Sequence, residues 1–141
     1  MNPVERSVWL PCGSDRAFNL FTVRISDWWP ADRKHTGDPE STLHLEESGR
    51  FVERARDGRE VPLGRVTGWV RPERIVLDFY PGTGPDQPTA VEIVFVPEGD
   101  GTRVRVTHRP TAASDAIWQQ RAPRFDASWD KVLGALALAA R

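Results

Sequence analysis

The chain has 141 residues and a mass of 15.9 kDa, which is room for one domain, residues 1–141, with a proper hydrophobic core. With 39% hydrophobic and 28% charged residues it reads as a globular chain, neither disordered nor collagen-like. Its 19 basic and 20 acidic residues are divided evenly between the two halves, so no polycationic segment is present to drive binding to nucleic-acid phosphates.

Val4 to Leu10 alternates with period two, Val4, Arg6, Val8 and Leu10 falling on one side, and predicts a half-buried strand. Ser14 or Asp15 can cap a short helix carrying Ala17, Phe18, Leu20 and Phe21. Val23 to Trp29 predicts a second short helix that Pro30 stops, because the residue before a proline is pushed out of the helical region. Ala31 to Ser41 reads as a loop. Strands are then expected at Leu43–Glu47 and Arg50–Arg56, with a turn at Ser48-Gly49 and a hairpin signal at Asp57-Gly58. Arg65–Val70, Arg74–Tyr80, Val91–Val96 and Thr102–Arg109 follow, the last two joined by Glu98-Gly99-Asp100-Gly101. Pro110 ends the sheet. Ser114 to Arg121 predicts a helix capped by Ser114, which Pro123 should kink or separate from a longer one. In that final helix Phe125, Trp129, Val132, Leu133, Leu136 and Ala140 make one apolar stripe.

The order is strand, two short helices, a run of strands, and a long last helix. This is an α+β arrangement in which a curved antiparallel sheet of about six to seven strands wraps the C-terminal helix, a helix-grip fold. Such a sheet leaves a pocket wherever its side chains and those of the helix do not meet.

The single cysteine, Cys12, excludes an internal disulfide and a cysteine-based zinc cluster, and fits a reducing, cytoplasmic location. Met1 to Pro11 lacks the pattern of a signal peptide. The longest apolar run, Val132 to Ala140, is far below the roughly 20 residues of a membrane span.

Ala17-Phe18-Asn19-Leu20-Phe21-Thr22, followed by Ile25-Ser26-Asp27-Trp28-Trp29-Pro30, resembles the opening signature of the bacterial relatives of the heat-shock chaperone ATPase activator. These AHSA1-like proteins belong to the SRPBCC (START-like, Bet v 1-like) superfamily. Gly64-Arg65-Val66 through Pro72 to Ile75-Val76-Leu77-Asp78-Phe79 is similar to the family's paired central strands. Ser128-Trp129 with Val132-Leu133 resembles its final helix. The resemblance implies a cavity for an apolar or amphipathic ligand. Chaperone activation in the eukaryotic activators depends strongly on an additional N-terminal domain, whereas this chain starts directly at the first strand, so a chaperone partner is not expected.

The expected function is therefore binding of a small hydrophobic or amphipathic molecule, a lipid or an aromatic, between sheet and last helix. Six tryptophans suit such a pocket, since each buries about 150–250 Å² and keeps a polar N–H. Of these, Trp28, Trp29, Trp69, Trp118 and Trp129 are expected at the cavity wall. Val66, Leu77, Phe79 and Phe95 from the strands are expected there too, with Phe125 and Leu133 from the helix. Because consecutive helical residues cannot both face inward, one of Trp28 and Trp29 can sit at the cavity mouth.

Two other functions fit the same pattern. An aromatic surface on the short helices would serve a protein-binding module or a homodimer. A cavity presenting His44 or Asp78 as general base would serve a cyclase or dehydratase. His44 and Glu46 share a strand face, the least spacing a metal site uses, and His35, Asp78 and His108 are the available third ligands; a hydrogen-bonded His44–Glu46 pair reads equally well. No nucleophile elbow, phosphate loop or dinucleotide fingerprint occurs, so no catalytic residue, cofactor or metal is assigned. Cys12 precedes a helix start, where a thiol pKa can be lowered, but a buried idle cysteine is the expectation. Arg6 either lies exposed at the sheet edge or, on the concave face, needs a carboxylate, for which Glu46, Glu92 and Asp78 are available.

Overall fold

A computed structural model describes residues 2–141. Its strands are β1 (Val4–Leu10), β2 (Thr42–Leu45), β3 (Arg50–Arg54), β4 (Glu60–Val70), β5 (Arg74–Phe79), β6 (Thr89–Glu98) and β7 (Gly101–Pro110). Helix α1 (Ser14–Phe21) follows β1 and helix α2 (Trp118–Ala139) follows β7. The strands form one antiparallel sheet in the order β1-β7-β6-β5-β4-β3-β2. Strands β2 to β7 are a meander, and β1 returns to pair with β7.

Register explains which face is buried. Ile75, Ile93 and Val106 stand opposite one another across β5, β6 and β7, and Leu77, Val91, His108 and Val4 make the next row. Both rows are buried beneath α2, which contributes Phe125, Trp129, Val132, Leu133 and Leu136. Each such aliphatic or phenyl side chain stabilises by about 1.5–3 kcal/mol relative to exposure. At the other end α1 lays down Ala17, Phe18, Leu20 and Phe21. There Phe18 meets Trp69 at 5.2 Å and Phe95 at 5.1 Å, and Phe21 meets Trp28 at 5.5 Å. This half of the interior is closed by aromatic packing.

Several local expectations are corrected. The second short helix is a single 3-10 turn, Ile25–Asp27, and after the amides of Trp28 and Trp29 bond the Ile25 carbonyl it goes no further, Pro30 having no N–H to continue it. Strand β4 starts at Glu60, earlier than the expected Arg65. Pro62 is tolerated inside it because pairing with β3 shifts register between Phe51 and Val52, and proline is admitted at such irregularities. Gly64 also belongs to this strand: a Cβ there would lie 2.2 Å from the Asp78 carbonyl oxygen. Helix α2 runs through Pro123 unbroken, with a separate 3-10 turn at Asp115–Ile117 before it. Pro123 sits in the second turn, where the acceptor it leaves unbonded belongs to exposed Gln119 and is solvated. Ser14 does not cap α1. Gly13 holds that position, and the Ser14 hydroxyl pairs with Thr102 Oγ1 at 3.3 Å.

Arg6 lies on the concave face, and its partners come from the helix. Its Nε and Nη2 donate to both carboxylate oxygens of Asp126 at 2.8 and 3.0 Å, and Nη1 donates to Asp130 at 3.2 Å. Glu46, Glu92 and Asp78 are not involved. Glu92 instead accepts from Arg74.

Candidate functional site

The N-terminal half of α2 carries Trp118, Phe125 and Trp129 on one side, and all three converge on His108 of β7. The imidazole is fully buried, with ring centroids of Phe125 at 4.2 Å, Phe79 at 5.2 Å and Trp118 at 5.3 Å. Trp129 Nε1, which can only donate, donates to His108 Nδ1 at 3.0 Å. Nδ1 is therefore bare and Nε2 carries the proton. Nε2–H then donates to Thr89 Oγ1 at 2.6 Å, and the Thr89 hydroxyl donates to the Phe79 carbonyl at 3.1 Å. Burial pulls His108 down to about 3, so it is neutral across the physiological range. With both ring nitrogens engaged inside the core, His108 has no free lone pair for a metal and no route to a substrate.

Beside this cluster the interior opens. Loop residues Trp29, Arg33 and His35 face Phe51, Leu63 and Phe79 on the sheet, and Arg124, Phe125 and Ser128 on α2 close the far side with Pro81 and Gly82. The cleft has a volume of about 180 Å³. An apolar cavity of about 150 Å³ already accepts benzene, so a single aromatic ring fits. The cleft continues into a hollow of about 380 Å³ through shared residues His35, Leu63, Pro81 and Gly82. That hollow is floored by Val61, Pro62, Tyr80 and Pro85. A larger hollow of about 830 Å³ lies between β1 and the start of α2, but it is shallow and open, and Asn2, Glu5, Gln119 and Asp126 are interspersed among its apolar residues Pro3, Val4, Trp118, Ala122 and Pro123, so a guest there would stay more exposed to water than in the cleft.

Glu53 places the loop that forms the near wall. It is buried, and its carboxylate accepts from the amides of His35 at 2.7 Å and Thr36 at 2.8 Å and from the Ser41 hydroxyl at 2.9 Å. Burial pushes this carboxyl upward, yet hydrogen bonds from Thr36, His35 and Ser41 outweigh it and hold it below its ordinary value. The same loop is tied at Asp38, held at about 2 by the Arg56 amide, the Arg56 guanidinium and the Glu40 amide. Sequence reasoning missed Glu53. A charged residue flanked by buried Val52 and Phe51 in a strand was the available signal.

Gly82 sets how closely the far wall approaches. Its φ is +85°, and a Cβ would lie 2.9 Å from Cε1 of Phe125. Gly82→Ala is expected to cost about 1–3 kcal/mol and to displace the Phe125 ring, read as a lower urea midpoint and shifted Phe125 resonances. A wild-type midpoint would contradict the tight approach.

The expected wall residues separate into three groups. Trp29, Phe79 and Phe125 stand on the cleft. Trp118 lines the β1–α2 hollow and Trp69 a shallow one near His44. Trp28, Leu77, Phe95, Trp129 and Leu133 are buried in the packed core, and Val66 packs partly buried against it. Trp28 donates its indole N–H to the Leu20 carbonyl at 2.6 Å, while Trp29 donates to the Arg33 carbonyl at 3.3 Å. His44 pairs with Thr42 Oγ1 at 2.9 Å and not with Glu46. Neither His44 nor Asp78 lines the cleft; the ionisable groups there are Arg33, His35 and Arg124. Among the described residues no group of three His, Cys, Asp or Glu is placed to hold a metal ion. Cys12 is buried, which pushes its thiol upward and leaves it inert. No helix among the described residues is long and apolar enough to cross a membrane.

A curled seven-strand antiparallel sheet gripping a C-terminal helix, with a cleft between the two, defines the helix-grip class. Within it, residues 13–140 match the family described as "Activator of Hsp90 ATPase homolog 1-like protein" (AHSA1), and the chain belongs to that family. The fold is similar to the solution structure of CalC from Micromonospora echinospora, a self-sacrificing resistance protein, with TM-score 0.76 and 23% identity over 99% of this chain and 94% of that one. Protein CV1439 from Chromobacterium violaceum is similar at TM-score 0.65 and 19% identity, over 99% and 96% of the two chains. DynU16 of the dynemicin biosynthetic locus is similar at TM-score 0.63 and 17% identity, with 97% of this chain spanning 46% of that one. No curated protein sequence matches significantly.

Proposed function

We propose that this AHSA1-like domain binds a small hydrophobic or amphipathic molecule whose ring enters the cleft between Trp29, Phe79 and Phe125. The observation that carries this reading is the cleft itself, an apolar recess with aromatic walls between the sheet and the Arg124–Ser128 stretch of α2. Its volume suits a ring or the end of a larger molecule, the remainder lying in the adjoining hollow beside Tyr80 and Pro85. Two proteins of the same fold, one described as a resistance protein and one from a biosynthetic locus, support a small-molecule role. The protein-module reading needs an exposed Trp28 or Trp29 in a contiguous patch; Trp28 is buried and Trp29 is half-buried at the cleft.

The test is titration of isotope-labelled protein with a neutral aromatic, naphthalene-2-carboxamide, followed through the Trp29 indole N–H and the Gly82 amide. Saturable shifts at both, with the distant Trp9 indole unmoved, are expected. Absence of any saturable shift at Trp29 and Gly82 would remove the reading.

A further inference from the structure

From the polar groups around the cleft we infer that its ligand carries an anionic group, a carboxylate or an equivalent oxyanion, received by Arg33 and Arg124. The inference rests on the ligand-binding reading above and specifies the chemistry of the guest. Three features support it.

The first is the sign of the rim. Two arginines and a histidine line the cleft together with Ser128, and among the described residues no acidic one lines it. This occurs in a chain whose formal net charge is −1, so the positive rim is local and not a general property of the surface.

The second is the absence of internal partners. Among the described residues eight arginines are ion-paired, for example Arg6 with Asp126 and Arg56 with Asp38, and neither Arg33 nor Arg124 is in such a pair. Asp32, next to Arg33 in sequence, is taken by Lys131. Arg33 Nε is in addition buried and, among the described residues, without a hydrogen-bond partner, a state shared with Arg121 Nε, which does not line the cleft. A buried guanidinium N–H left unbonded is unfavourable, and a ligand oxygen would satisfy it. Guanidinium groups receive planar carboxylates through paired N–H donors, which also fixes the ligand's orientation.

The third is placement. Arg33 ends a 3-10 turn, Ala31–Arg33, two residues before the His35 amide that Glu53 binds, and Arg124 lies on α2 one residue before Phe125. The two cations therefore come from two different segments, and both line the aromatic recess. An aromatic acid has this same division, an apolar ring and a charged end.

The experiment compares 2-naphthoate with naphthalene-2-carboxamide, which share a ring system and differ in charge, by calorimetry and by the Trp29 and Gly82 resonances. The naphthoate is expected to bind at least tenfold more tightly than the amide at low ionic strength, and its advantage to shrink as salt is raised. In Arg33→Gln and Arg124→Gln that advantage should fall several-fold while amide affinity is retained. The retained amide affinity reports that each variant is folded. Equal affinities of the two probes for the wild-type protein would overturn the anion inference and leave the binding reading standing. A naphthoate preference that survives both substitutions would overturn the assignment to these arginines. Binding of neither probe would overturn both.

Discussion

Glu53→Ala is expected to destabilise the protein by about 2–4 kcal/mol in urea unfolding, a large effect for a single polar residue. The carboxylate is buried and accepts three hydrogen bonds, two from loop amides and one from Ser41, at 2.7 to 2.9 Å. Truncation leaves the buried Thr36 amide and Ser41 hydroxyl without a partner and frees the partly buried His35 amide. Glu53→Gln should cost less but remain destabilising, because an amide offers one acceptor oxygen and turns an N–H₂ toward donors. Both variants should also weaken ligand binding, since the loop they loosen carries Arg33 and His35 to the cleft. A loss below about 1 kcal/mol for the alanine variant would show that the loop is held by other contacts.

The second large effect is acid sensitivity arising from His108. Its folded-state pKa is about 3 against an ordinary value of 6.5, so between these values the unfolded chain binds a proton that the native protein does not. Stability from the neutral imidazole is fully present above pH 6.5 and declines as pH falls toward 3, by about 1.4 kcal/mol per pH unit. Between pH 6.5 and about pH 4.5 the loss amounts to roughly 2–3 kcal/mol. His108→Gln keeps a polar group near Trp129 and Thr89 but does not titrate. Although less stable at neutral pH, it should show a pH slope smaller by close to one proton across this window. Parallel slopes for the two proteins would contradict a buried neutral imidazole.

The same pair of residues shows where sequence reasoning stopped. Period-two alternation in Thr102–Arg109 correctly separates Val104 and Val106 from Arg103 and Arg105, and it puts His108 on the apolar side. It does not reveal that Trp129, remote in the chain, donates to that ring. Glu53 is similar: the strand is legible, but its three donors come from a loop without periodicity. For Arg6 the alternation allows either the exposed sheet edge or the concave face, and the carboxylates it suggests as partners are Glu46, Glu92 and Asp78. The structure supplies Asp126 and Asp130 instead, because α2 crosses above β1.

What the amino-acid order determined by itself was the inventory of elements and their apolar faces: alternating strands, the stripe from Phe125 to Ala140, and with them the helix-grip class. These follow from spacing along the chain, at two residues per strand repeat and 3.6 per helical turn. Where the interior stays open was decided only in three dimensions. Phe18, Trp28, Trp69 and Phe95 close one end, while at the other Gly82, Phe125 and the Glu53-anchored loop hold a recess apart. Packing depends on side-chain volumes meeting across residues far apart in sequence, and no local period records that.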